Sequence, residues 1–212
     1  MTRSLAMLLF CIVCLEWVLA AESSSPNLHA TVEAQIKRLR SPNKAPRMDF
    51  YATYPPGYVP EAQEAVRDAQ LRLFAMGKDA FPMLLAHGDD KDYSLTFSSA
   101  QYVDYSVGEV CLSIIECQVD IAPDNYKSRK GVDGKSHHPG WYFSKYHTAN
   151  GSQRSALQKW YEENKAKTLT EIQIEVLEWR IEQEKRFGFP EEDDQKHYLI
   201  PLERQLAELR QK

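Results

Sequence analysis

TLTEIQIEVLEWRIEQEKRFGFP, residues 168 to 190, decides the fold class of this chain. Thr168 followed by Glu171 is the pattern of a capping box, in which a hydroxyl and a carboxylate satisfy the first unpaired N–H groups of a helix. Gly188 and then Pro190 supply a left-handed stop and a residue that cannot continue. At about 100° per residue, Leu169, Ile172, Val176, Trp179 and Phe187 fall on one side, and Ile174, Leu177 and Ile181 fall nearly opposite. A helix apolar on two sides needs two packing partners, so the spacing predicts a central helix with the rest of the chain arranged around it.

The neighbours of that helix also read as helical. Gln153 to Lys165 carries Ala156, Leu157, Trp160 and Tyr161, and Leu199, Leu202, Leu206 and Leu209 stay in register over about 199–209, with Pro201 in the first turn. Upstream, Ser106 and Glu109 form a second capping box. It opens a helix with Val107, Val110, Cys111, Ile114, Cys117 and Ile121 on one face, the most apolar helix of the mature chain and the expected principal neighbour of the central one. Between His87 and Phe97 a polar loop is expected. Its Asp89, Asp90 and Asp92 invite a calcium reading, but the central Gly and terminal Glu of a calcium loop are missing, which favours a solvated turn. At the N-terminal end, Leu28 to Leu39 places Val32, Ile36 and Leu39 on one helical face. Ser41 to Pro60 is an extended, proline-rich connection whose Phe50, Tyr51, Tyr54 and Tyr58 either cover apolar surface or form an aromatic binding strip.

Glu61 to Met76 reads as a helix with Ala62, Ala65, Val66, Ala69, Leu73 and Met76 at spacings of three and four. Gly77 stops it, and Asp79 caps a shorter helix over 80–86 with Pro82 in its first turn. The run AVRDAQLRLFAMGKDAFPMLLAHGDD, within residues 61–90, resembles a HEAT-like helical repeat: an alanine-rich helix, a glycine turn, a proline-bearing second helix and a closing acidic turn. The resemblance implies protein interaction. The expected fold class is all-α: a HEAT-like hairpin plus C-terminal helices packed around a central helix, with long irregular loops.

Met1–Arg3, the apolar run Leu5–Leu15 and the small-residue exit Val18-Leu19-Ala20 read as a signal peptide cleaved after Ala20, which predicts a secreted or periplasmic protein. Glu16 interrupts the run before it reaches the ~20 apolar residues of a membrane span. Val13 stands where a lipid-attachment site before Cys14 would carry a small residue, so no stable membrane anchor is expected. Losing Arg3 and Glu16 leaves the formal charge at −4, and this mild acidity argues against whole-surface binding of nucleic acid. Residues 21–60 then form an N-terminal helix and connection, and 61–212 one helical domain. Cys111 and Cys117, six apart on one helix, are separated by about 9 Å of rise and point about 120° apart, beyond disulfide reach, so two buried thiols are expected.

Two constellations are candidates for a site. Residues 122–150 lack periodicity, and Lys127, Arg129, Lys130, Lys135 and Lys145 against Asp124 and Asp133 give them a local charge of 5 − 2 = +3. Tyr126, Trp141, Tyr142, Phe143 and Tyr146 are interleaved, with His137, His138 and His147. Cations beside flat rings suit an anionic or glycan-containing partner; otherwise the aromatics simply anchor the loop. Gly134-Lys135-Ser136 lacks the earlier glycine of a phosphate-binding loop, where Arg129 stands. The second candidate is the row Glu171, Glu175, Glu178 and Glu182 along one edge of the central helix. Like charges at this spacing call for compensating cations, and those of the 122–150 loop are the expected partners, docking and tethering it. No zinc, glycosidase or di-iron spacing emerges, and no cofactor is implied. Asn150-Gly151-Ser152 is a glycosylation sequon. The expected function is non-catalytic binding of a protein or envelope component. The alternative is an exported hydrolase acting on glycans or peptides, with Glu175 or Glu178 and a loop histidine as acid and base.

Overall fold

The computed structural model describes residues 27–48, 52–97, 103–122, 129–137, 140–147, 151–191 and 193–211. The expected leader with Cys11 and Cys14, together with Phe50, Tyr51, Lys127 and His138, lies outside the described residues. The fold is mostly helical, with seven α-helices among the described residues and three short antiparallel strand pairs. It divides into two compact units between Glu116 and Cys117.

The first unit holds α1 (Leu28–Arg38), α2 (Pro60–Ala75), α3 (Phe81–Ala86) and most of α4 (Val107–Val119). Val32, Ile36 and Leu39 are fully buried, as their spacing predicts, and α1 packs on α2 and α3. Pro60 begins α2 where its missing N–H would have had no partner. Gly77, at φ +65°, turns the chain into a 3-10 segment (Gly77–Ala80) that runs into α3. Asp79 lies inside that segment and caps nothing; α3 starts from Ala80 without a side-chain cap.

The second half of the expected 87–97 loop is a strand. β1 (Arg47–Met48) pairs with β2 (Ala52–Thr53), and β3 (Tyr93–Phe97) pairs with β4 (Val103–Ser106). Tyr93-Ser-Leu-Thr-Phe97 alternates apolar and aromatic residues (Tyr93, Leu95, Phe97) with hydroxyl residues (Ser94, Thr96), a strand signal hidden by the acids before it. A register shift between Tyr93 and Leu95 lets Ser94 and Leu95 both be buried. The Ser106–Glu109 capping box forms, with the Glu109 N–H donating to Ser106 Oγ at 3.2 Å and the Ser106 N–H to Glu109 Oε2 at 2.8 Å. α4 is buried around most of its circumference, since Leu112, Ile115 and Val119 join the predicted face. Cys111 is fully buried, but Cys117 is only partly so; both are free thiols. A Cβ on Gly108 would stand 2.5 Å from the Gly88 carbonyl oxygen, so only glycine lets the start of α4 approach that turn.

The second unit contains β5 (Arg129–Lys130) paired with β6 (Ser136–His137), a 3-10 segment (Tyr142–Tyr146), α5 (Gln153–Asn164), α6 (Leu169–Phe187) and α7 (Ile200–Leu209). Ser152 caps α5. The capping box of α6 is complete: the Glu171 N–H donates to Thr168 Oγ1 at 3.2 Å and the Thr168 N–H to Glu171 Oε2 at 2.6 Å. Gly188, at φ +70°, ends the helix. Both flanks of α6 are covered. Ile172 and Val176 are buried on one, and on the other Leu177 and Ile181 pack with Leu199, Leu202 and Leu206. Each such side chain contributes about 1.5–3 kcal/mol when fully buried. Within this unit the last turn of α4 meets α6, where Gln173 Nε2 donates to the Gln118 carbonyl at 2.7 Å. The C-terminal helix starts earlier than predicted, because a π-helical turn (Gln195–Leu199) leads directly into α7 ahead of Pro201.

Candidate functional site

The two edges of α6 that separate its apolar flanks differ in kind. With Ile172 set at 0° and about 100° per residue, Val176 lies near 40°, Arg180 near 80°, Glu184 near 120°, Leu177 near 140° and Ile181 near 180°. All six are buried, including Arg180 at 8% exposure and Glu184 at 1%. Glu171, Glu175, Glu178 and Glu182 occupy the opposite, outer edge. The charged groups that α6 embeds in the unit are thus Arg180 and Glu184, on the edge opposite the acidic row.

Arg180 pairs with Asp120 through two guanidinium nitrogens, and its Nη1 donates to the Gly140 carbonyl at 3.0 Å. Its guanidinium also lies 5.0 Å from the Trp179 ring centre. One buried arginine therefore joins the helix, the residue after α4 and the basic aromatic loop. The signal available in sequence was its angular position: Arg180 falls inside the buried arc, where a cation needs a carboxylate partner. The identity of Asp120, sixty residues away, was not available.

The loop is tethered by backbone and aromatic contacts. The Val132 N–H donates to the Phe187 carbonyl at 3.0 Å, and a Cβ on Gly188 would come within 2.6 Å of a Val132 methyl, so the hairpin tip requires glycine at the end of α6. Tyr142 and Phe143 are buried, Phe143 edge-on to Trp160 at 5.1 Å and Tyr142 edge-on to Trp179 at 5.3 Å. Burial pushes the Tyr142 phenol up to about 12, with Tyr146 and Glu175 nearby adding to the effect. These two aromatics anchor the loop to the helices. Trp141 and Tyr146 are partly exposed, and Lys145 is exposed with its Nζ 4.6 Å from the Tyr142 ring centre and 5.0 Å from that of Tyr146. His147 stands beside Trp141, ring centres 6.0 Å apart. Lys130 and Lys135 are exposed on the hairpin. Arg129 and His137 take part in it by their backbone, and their side chains, like Lys127 and His138, lie outside the described residues.

The acidic row has partners other than loop cations among the described residues. Glu171 serves the capping box, Glu175 accepts from Lys167 Nζ at 2.7 Å, and Glu178 accepts from Arg210 Nη2 at 2.5 Å. For Glu175 and Glu178 the compensation demanded by like charges at helical spacing comes from Lys167, just before α6, and Arg210, just after α7. In the first unit, Arg40 lies between two of the acids that suggested calcium, with Nη2 2.7 Å from Asp90 and Nε 2.7 Å from Asp92. His87 is 3.2 Å from Glu33. Among the described residues no three His, Cys, Asp or Glu side chains group as a metal site, and no helix is long and apolar enough to cross a membrane. No protein-family model matches the chain, and neither a curated protein nor a solved structure does.

Proposed function

We propose that the protein is an exported, non-catalytic binding protein whose second unit takes an anionic partner, a protein or a glycan-containing envelope component, on the surface formed by Trp141, Lys145 and Tyr146. The observation that carries this reading is the stack beneath Lys145. The ammonium is exposed while the rings under it belong to a segment whose Tyr142 and Phe143 are locked against Trp160 and Trp179. Rings held in place by the core lose little freedom when a partner arrives, so little affinity is consumed in ordering them. Lys130 and Lys135 add positive charge in the same unit. Export rests on the leader read in residues 1–20. The HEAT-like character of residues 61–90 belongs with the same proposal, because such hairpins offer helix faces to partner proteins.

Calorimetric titration of the mature protein with a sulfated oligosaccharide and with its desulfated counterpart tests the site. Binding of the sulfated form is expected to weaken about tenfold in Trp141→Ala and in Lys145→Ala, with circular dichroism verifying that each variant keeps its helical content. Equal affinity for both sugars, or unchanged affinity in both variants, overturns the reading.

A further inference from the structure

The proline-rich connection of the first unit builds a second site, separate from the loop surface. Pro55-Pro56-Gly57-Tyr58 forms a type II turn: the Tyr58 N–H donates to the Pro55 carbonyl at 3.1 Å and Gly57 has φ +79°. Asn43 fastens the residue after the turn, its Nδ2 donating to the Val59 carbonyl and its Oδ1 accepting from the Val59 N–H, both at 2.8 Å. The Tyr58 hydroxyl stands near that of Tyr93. Tyr93 continues to Thr96 Oγ1 at 2.7 Å, and the Thr96 hydroxyl donates to Asp104 at 2.5 Å. The backbone that carries the Tyr58 ring is thereby fixed, and the Tyr54 ring rests on that ring with centres 4.6 Å apart at 47°. Beside these rings a cleft of about 310 Å³ is lined by Tyr54, Tyr58, Glu61, Gln63, Glu64 and Arg67.

The chemistry of the lining narrows the ligand. The two tyrosines touch each other, so no gap between them can enclose a cation; they form one tilted platform, 53% of Tyr54 being exposed. Two glutamates against one arginine disfavour an anion. Gln63 is only 4% exposed, and its Nε2 donates to Ser41 Oγ at 2.6 Å while its Oε1 is buried without a partner. That acceptor needs a donor, which the prolines of a polyproline strand lack. Hydroxyl groups donate to Gln63, Glu61 and Glu64 and accept from Arg67, and the C–H face of a saturated ring lies flat on an aromatic platform. We propose that this cleft binds a neutral pyranose unit of a glycan, stacked on Tyr54 and Tyr58 with its hydroxyls shared among Gln63, Arg67 and the two glutamates.

The test is NMR titration of isotope-labelled mature protein with three neutral trisaccharides: N,N′,N″-triacetylchitotriose, cellotriose and maltotriose. At least one is expected to give saturable shifts at the amides of Tyr58, Gln63 and Thr96, and Tyr54→Ala and Arg67→Ala, both at exposed positions, are expected to weaken it about tenfold each. Gln63→Glu, which keeps the side-chain shape, is expected to change the ranking of the three sugars. No shift at these amides up to millimolar sugar, or shifts that survive both Tyr54→Ala and Arg67→Ala, overturns the proposal. So does saturable binding of a proline-rich decapeptide or of choline at these amides in place of any sugar. Because this cleft and the Lys145 surface lie in different units and use probes of different charge, failure of one site leaves the other standing.

Discussion

Arg40 stands where the three acids of residues 89–92 suggested a bound cation. Burial raises the Asp90 carboxyl, but the Asp92 N–H, the Arg40 guanidinium and His87 together outweigh that and hold it below the ordinary carboxylate value. Arg40 is raised in turn, first by its hydrogen bond to Asp90. A carboxyl depressed in the folded state contributes stability that is present above its unfolded value of about 3.9 and is lost as pH falls through the folded one. The resistance of the wild type to denaturant is therefore expected to fall as pH drops below about 4, and Asp90→Asn to remove part of that dependence and to lower stability at pH 7. The effect is about 1 kcal/mol or less, since half of Arg40 is open to screening solvent. An Asp90→Asn curve parallel to the wild type over the whole range would count against it. The partner was illegible in the sequence because fifty residues separate Arg40 from Asp90. At Cys111 the same neighbourhood acts differently: burial, with Asp90 and Glu33 adding to it, pushes the thiol up to about 12, so it stays protonated within the core.

Among the elements, α6 is the one on which the second unit turns. Its caps and its two apolar flanks were legible because both depend on spacing alone. The polar edge that matters was not, since Arg180 and the four glutamates are equally charged letters and only packing puts one edge inside. Arg180→Met is expected to cost about 3–5 kcal/mol by leaving Asp120 without its counter-charge, while Arg180→Met with Asp120→Leu recovers most of that loss. Denaturant midpoints of the two singles and the double form the cycle. The same arginine holds Gly140, so protease cleavage within 130–147 is expected to accelerate in Arg180→Met, and in the wild type to respond little to ionic strength, because the ion pair is shielded from salt. Equal cleavage rates in wild type and variant would show that Tyr142 and Phe143 hold the loop unaided.

For the molecule as a whole, helical character was readable over nearly every helix, from Leu28 to Leu209. The 93–97 strand was not, because its pairing with 103–106 is a non-local contact that no single periodicity announces. The second unit depends on its last helix. Leu199, Leu202 and Leu206 cover Leu177 and Ile181, and Gln205 Nε2 donates to the Ile121 carbonyl at 2.9 Å. Truncation before Gln195 strips that cover, and each uncovered leucine is worth about 2–5 kcal/mol in such a core. Hydrogen exchange is expected to show lost protection across 169–187 in the truncated chain. Retained protection there would mean that α6 is held by its other flank alone.

Caps, stops, helical faces and the covering of 168–187 on both sides are local properties that the chain carries in its own letters, since they follow from the rotation per residue and from which groups a helix end leaves unpaired. Three-dimensional packing alone settled which edge of that helix is interior, which carboxylate meets Arg180, and that the tyrosines of a proline-rich connection line a cleft beside Gln63. Those outcomes depend on contacts between residues far apart in sequence, where geometry chooses among side chains that composition leaves equivalent.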